Sequence, residues 1–143
     1  MRPTNESGVD DCRLFDFSKI SDPRGNLTVI EPGQPIPFAI ERVYWIYDVP
    51  GGEHRDGRAC RTTHECFVSL SGALDVTLND GTTQRVVTLN RSFCGLYVPP
   101  MIWRQMENFS TNAVCLVLAS TPYSEDDHVR DIKTFQREKS AAL

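Results

Sequence analysis

Glu65-Cys66-Phe67-Val68-Ser69-Leu70-Ser71-Gly72, continued by Ala73-Leu74-Asp75-Val76-Thr77-Leu78-Asn79-Asp80-Gly81, is two strand-length runs with a turn after each. The alternation is of period two. Glu65, Phe67 and Ser69 share one face of the first run, and Cys66, Val68 and Leu70 share the other. Both faces carry apolar residues, as expected of a wall packed inside and also covered outside. Asn79-Asp80-Gly81 is a tight-turn signature, because such turns need a residue that tolerates positive φ. It leads into a third run at 83–89, so the middle of the chain reads as consecutive antiparallel strands.

The same reading extends in both directions. Strand-like runs at 12–17, 25–31 and 41–49 precede this passage, and runs at 93–98, 103–108 and 113–119 follow it. Turn residues punctuate them about every ten positions, the spacing of a β sandwich or barrel. In 41–49, Arg42, Tyr44 and Ile46 fall on one face, and Val43, Trp45 and Tyr47 on the other. A helix is expected only in the tail, with Ser124 as cap, acids in the first turn and Val129, Ile132 and Phe135 at helical spacing. Residues 140–143 read as a frayed end. No repeat, linker or composition shift divides the chain. The expectation is one all-β domain over residues 1–143, with its core at about 12–136.

Composition narrows the function classes. The 143 residues carry 15 basic and 19 acidic side chains, a net charge of −4, which argues against a nucleic-acid surface. No run approaches the roughly 18 apolar residues of a membrane span. The N-terminal Met1-Arg2-Pro3-Thr4-Asn5-Glu6-Ser7 has no apolar stretch behind its Arg, so a signal peptide is not expected. The 5 cysteines are an odd number without a CxxC pair, and they read as reduced thiols of a cytoplasmic protein.

Two passages carry a family resemblance. One is Asp22-Pro23-Arg24-Gly25-Asn26-Leu27 with Pro37-Phe38 and Arg42-Val43-Tyr44. The other is Gly95-Leu96-Tyr97-Val98-Pro99-Pro100 with Trp103, then Leu118-Ala119-Ser120 and Tyr123. From about Phe15 to about Phe135 the chain resembles the dTDP-4-keto-6-deoxyglucose 3,4-ketoisomerases, the WxcM-like or FdtA/QdtA group. The resemblance implies a cupin (RmlC-like) β-barrel or jelly roll with a short C-terminal helix. It also implies a homodimer paired through barrel walls and N-terminal strands, and a dTDP-sugar bound in the barrel during deoxysugar or polysaccharide biosynthesis. Arg24, Arg42, Tyr44 and Tyr97 match positions that hold sugar or phosphate groups in the family. The alternatives are a turn salt bridge of Arg24 with Asp22 and plain core packing of the tyrosines. Trp103 reads either as a stacking partner for a base or sugar or as a barrel-wall aromatic.

The chain departs from the family where the chemistry lies. The family's His-x-His pair is replaced by Arg58-Ala59-Cys60, and the later His position is occupied by Arg104. The cupin spacing survives as Arg58-x-Cys60, Glu65 and Gly72. Guanidiniums donate only and stay charged, so no metal and no other cofactor is expected. Keto transfer between C4 and C3 needs a group that both takes and returns a proton, and at these positions only Cys60 and Glu65 are able to. A thiol between two guanidiniums is expected to ionise more readily than its usual value of about 8.5. The assigned catalytic set is then Cys60, Arg58, Arg104 and Glu65, with the arginines facing the enediolate. The alternative is that Cys60 only fills space while the arginines pair with Glu65. His64, one residue out of the inward register, reads as outer wall. His54 reads as a loop residue near the mouth and a possible relocated base, and His128 as structural on the tail helix.

Three functions stay open at this point. The first is the ketoisomerase itself. The second is a cupin with altered isomerase or epimerase chemistry using Cys60 or His54. The third is a non-catalytic paralogue that keeps the sugar-nucleotide pocket.

Overall fold

A computed structural model describes residues 6–33 and 35–141. The first five and last two residues, which enter the leader and frayed-end readings, lie outside that range.

Among the described residues the chain forms twelve strands and one helix: β1 (Arg13–Asp16), β2 (Ser18–Asp22), β3 (Gly25–Val29), β4 (Arg42–Ile46), β5 (Arg55–Cys60), β6 (Glu65–Ser71), β7 (Leu74–Asn79), β8 (Gln84–Leu89), β9 (Cys94–Val98), β10 (Trp103–Glu107), β11 (Val114–Ala119), β12 (His128–Val129) and α1 (Ile132–Ser140). Two five-stranded antiparallel sheets, ordered β1-β9-β6-β11-β4 and β12-β5-β10-β7-β8, face each other as a jelly roll. The passage that decided the fold becomes β6, β7 and β8. Gly81, at φ 97°, makes the left-handed step of its turn, and Asp80 Oδ1 accepts from the backbone N–H groups of Thr82 and Thr83.

The core lies between the sheets. Phe67, Leu96, Val98, Cys115 and Val117 from the first meet Leu74, Val76, Leu78, Leu89 and Met106 from the second. Strand β6 is buried on both sides, because Phe17 and Ile36 cover Cys66, Val68 and Leu118 from outside. The second sheet is covered by α1, whose Phe135 packs on Ala59, Met101 and Val129.

Each of the nine expected strands forms. Three others do. β2 and β3 make a separate hairpin, Ser18 pairing with Val29 and Asp22 with Gly25, and every residue of β2 is exposed. β12 pairs with β5 through His128↔Cys60 and Val129↔Ala59. The tail helix starts later than expected. Ser124 precedes only a 3-10 turn, and Asp131 is the true cap, accepting from Thr134 N at 2.9 Å. Val129 and His128 are therefore strand residues, held by backbone pairing with β5 rather than by a helical turn.

Candidate active site

At one end the two sheets part around a cavity of about 490 Å³. Alternation along β4 turns Arg42, Tyr44 and Ile46 into it and leaves Val43, Trp45 and, just beyond the strand, Tyr47 exposed, with Trp45 also touching the cavity's edge. Arg55 and Arg58 enter from β5, Arg104 and Met106 from β10, and Tyr123 and Arg130 from the segment between β11 and α1. His54 stands at the same cavity just before β5. Five guanidiniums thus converge on one space, and such a concentration of fixed positive charge is suited to an anion.

The floor is one hydrogen-bonded cluster around Glu65. Its Oε1 takes Arg104 Nε at 2.9 Å and Arg104 NH2 at 2.6 Å. Its Oε2 accepts the Tyr44 hydroxyl at 2.6 Å and lies 3.9 Å from Arg58 NH2. The Tyr44 oxygen in turn accepts from Arg58 NH2 at 2.8 Å and Arg104 NH2 at 3.3 Å. Cys60 Sγ sits 3.8 Å from Glu65 Oε1. Arg104 and Glu65 are each only 2% exposed, so each charge depends on the other.

Electrostatics separates the roles of these groups. Burial pushes the Glu65 carboxyl up, but Arg104, the Tyr44 hydrogen bond and Arg58 outweigh it and hold the group below its usual range. Glu65 is ionised. Burial first and Glu65 second push the Tyr44 phenol up. Cys60 follows the space-filling alternative and not the ionised-thiol reading. Burial, then the Glu65 carboxylate, push its thiol up to about 12, and the two guanidiniums do not reverse this. It is a neutral thiol behind the cavity floor.

Six of the nine site residues expected from the sequence come together here: Arg42, Tyr44, Arg58, Cys60, Glu65 and Arg104. Three do not. Tyr97 lies on the outer side of β9, where its hydroxyl is 2.7 Å from His64 Nδ1 and Arg13 covers its ring. Its neighbours Leu96 and Val98 hold the inward positions, and alternation leaves Tyr97 none. Trp103 likewise faces outward from β10, against Phe135 at 5.7 Å between centroids. Arg24 is at the tip of the β2–β3 hairpin, 90% exposed and paired with Asp22 at 3.0 Å, away from its own chain's cavity. Arg55, Tyr123 and Arg130 are lining residues that the sequence reading missed. Of these, Arg130 was hidden by the assignment of its segment to a helix.

Residues 10–140 match the family described as FdtA, WxcM-like, C-terminal. The chain belongs to this family. The TDP-4-oxo-6-deoxy-alpha-D-glucose-3,4-oxoisomerase of Aneurinibacillus thermoaerophilus is 40% identical over 125 residues, which are 87% of this FdtA-family chain and 90% of that protein. Among solved structures, QdtA, a sugar 3,4-ketoisomerase from Thermoanaerobacterium thermosaccharolyticum in complex with TDP, superposes with a TM-score of 0.92. It is 32% identical, over 95% of this chain and 99% of that one. The WlaRB TDP-quinovose 3,4-ketoisomerase of Campylobacter jejuni gives a TM-score of 0.85 at 36% identity, over 89% and 98%. The family resemblance and the all-β fold read from the sequence both hold, and the relatives of this FdtA-family protein are isomerases.

Proposed function

We propose that this protein is a sugar-nucleotide 3,4-ketoisomerase acting on a TDP-4-keto-6-deoxyhexose. The observation that carries the reading is the Tyr44–Glu65 couple, lying beneath a cavity lined by five arginines in a chain of this family. The guanidiniums take the diphosphate. Tyr44 is the group at the floor able to exchange a proton with the sugar. Its oxygen accepts the C3 proton as its own proton passes to Glu65 Oε2, and the C–H electron pair forms the C3–C4 double bond of an enediolate. The negative charge leaves Glu65 and reappears on the former C4 carbonyl oxygen, where Arg58 meets it. In the return step Glu65 gives its proton to Tyr44, Tyr44 protonates C4, and the hydroxyl proton of C3 moves to the C4 oxygen. Cys60, protonated and behind this couple, has no part in it.

The test is incubation with TDP-4-keto-6-deoxyglucose in D₂O. Loss of the C3 proton signal and growth of a 3-keto product are expected by NMR. Binding without exchange would favour the non-catalytic reading, and no binding of TDP would overturn the ligand assignment.

The homodimer belongs to the same proposal. Leu14, Ile20, Leu27 and Val29 are exposed on β1 and the hairpin, and Val43 and Trp45 on β4. These supply an apolar face for a second copy. Arg24, which projects from that hairpin, is assigned to the partner's cavity. Mixing Arg24→Ala with Tyr44→Phe protein should then restore activity that neither has alone. The five free cysteines support the cytoplasmic location.

A further inference from the structure

The segment between β11 and α1 lies beside the cavity as a strap tied to β5 and the turn after it. Asp127 Oδ1 accepts from Thr62 N at 2.7 Å and from Thr62 Oγ1 at 2.6 Å, and Asp127 Oδ2 accepts from Thr63 Oγ1. Arg61 NH1 donates to the Asp126 carbonyl at 2.6 Å, and β12 pairs with β5 beyond it. Two side chains of the strap, Tyr123 and Arg130, line the cavity.

One carboxylate holds both. Glu125 Oε1 takes Arg130 Nε at 2.7 Å, and Oε2 takes Arg130 NH2 at 3.1 Å and the Tyr123 hydroxyl. The Arg130 hydrogen bond first and Tyr123 second hold the Glu125 carboxyl down at about 2, so it is charged at any working pH. The grip is side-on. It takes the Nε and NH2 of Arg130, and NH2 also lies 3.3 Å from His128 Nδ1. The Arg42 guanidinium lies over the Tyr123 ring at 5.6 Å and over the Tyr44 ring at 5.5 Å. Among the described residues Arg42 Nε is buried with no hydrogen-bond partner, a donor that needs an acceptor oxygen.

An ion pair whose members are 59% and 51% exposed adds little to folding stability, so its consequence is geometric. We propose that Glu125 is a positioning residue: it fixes Arg130 directly, and Arg42 through Tyr123, as one wall for the diphosphate of the ligand, and it sets affinity without entering proton transfer. This rests on the sugar-nucleotide reading of the cavity and names the residue that organises its anionic end.

The test measures TDP binding by calorimetry alongside turnover. Glu125→Ala should weaken TDP binding and raise KM by about tenfold each, with kcat and melting temperature held. Glu125→Gln, which keeps an acceptor for Arg130, should recover part of the loss. In a Tyr123→Phe/Arg130→Ala background, Glu125→Ala should change TDP affinity no further. Tighter TDP binding by Glu125→Ala would make Glu125 a competitor of the ligand for Arg130 and would overturn the proposal. So would a fall in kcat at constant KM, or no change in either. Failure of the wild-type protein to bind TDP would instead sink the sugar-nucleotide reading. Binding of TDP without turnover leaves the affinity measurements to decide.

Discussion

Tyr44 donates its hydroxyl hydrogen to Glu65 Oε2 at 2.6 Å and accepts from Arg58 at 2.8 Å, so the phenol bridges a buried carboxylate and the cavity. Tyr44→Phe deletes that bridge and keeps the ring over which Arg42 and Arg58 lie. We expect kcat to fall by about 10²–10⁴-fold, the range for losing a general acid–base group, while TDP still binds. Near wild-type turnover of Tyr44→Phe, together with loss of activity in His54→Gln, would move the base to the cavity mouth.

Glu65 and Arg104 form a buried pair whose members fail separately. Glu65→Ala leaves the Arg104 guanidinium uncompensated and should cost about 3–5 kcal/mol in urea unfolding. Replacing both, as Glu65→Leu with Arg104→Met, should recover most of that stability while abolishing turnover. If Glu65→Ala unfolds at the wild-type urea concentration, the Glu65–Arg104 pair is not the mutually dependent buried pair described.

The depressed Glu65 carboxyl also fixes the sign of one pH dependence. A group whose pKa is lowered by folding contributes stability above its ordinary value, here 4.5, and loses it as pH falls through the folded value. Unfolding free energy should therefore decline below pH 4.5, and the decline should be shallower in Glu65→Gln. Parallel acid limbs in the two proteins would remove Glu65 from the account.

Legibility of the sequence tracked burial. β6 to β8 could be read because each presents an apolar face, and Gly81 closed their turn. β2 and β5 could not. Every residue of β2 is exposed, and Arg55-Asp56-Gly57-Arg58-Ala59-Cys60 turns arginine toward a polar cavity, so neither shows the alternation of a half-buried strand. The positions of Arg58, Cys60, Glu65 and Arg104 followed from inherited spacing. The state of Cys60 did not, because desolvation outweighs the attraction of neighbouring charge and spacing carries no measure of depth. Tyr97 and Trp103 were misplaced because family matching gives a position without its face, which only strand register decides.

Cys60 gives the clearest negative expectation. Its thiol stays protonated up to about 12, so Cys60→Ser should keep turnover, and the pH–rate profile should show no thiolate limb near neutrality. Native protein at pH 8 should also resist alkylation at this position. Inactivation by iodoacetamide with modification mapped to Cys60 would restore the thiolate mechanism.

Gly57 links the outer layer to the site. A Cβ built on it would lie 2.5 Å from Trp103 Cε2 and 2.7 Å from Cζ2, and Phe135 backs the indole at 5.7 Å between centroids. The contact has to be relieved, and as β5 yields to the ring it carries Arg58, the next residue, away from its 2.8 Å contact with Tyr44. Overpacking of this kind costs about 1–3 kcal/mol, and turnover should fall with it. Trp103→Ala is destabilising alone, because it empties the layer under α1, yet it should offset part of the Gly57→Ala loss when the two are combined. Strict additivity of the two changes, in both unfolding and turnover, would mean that β5 is not held against the indole and that Trp103 acts elsewhere.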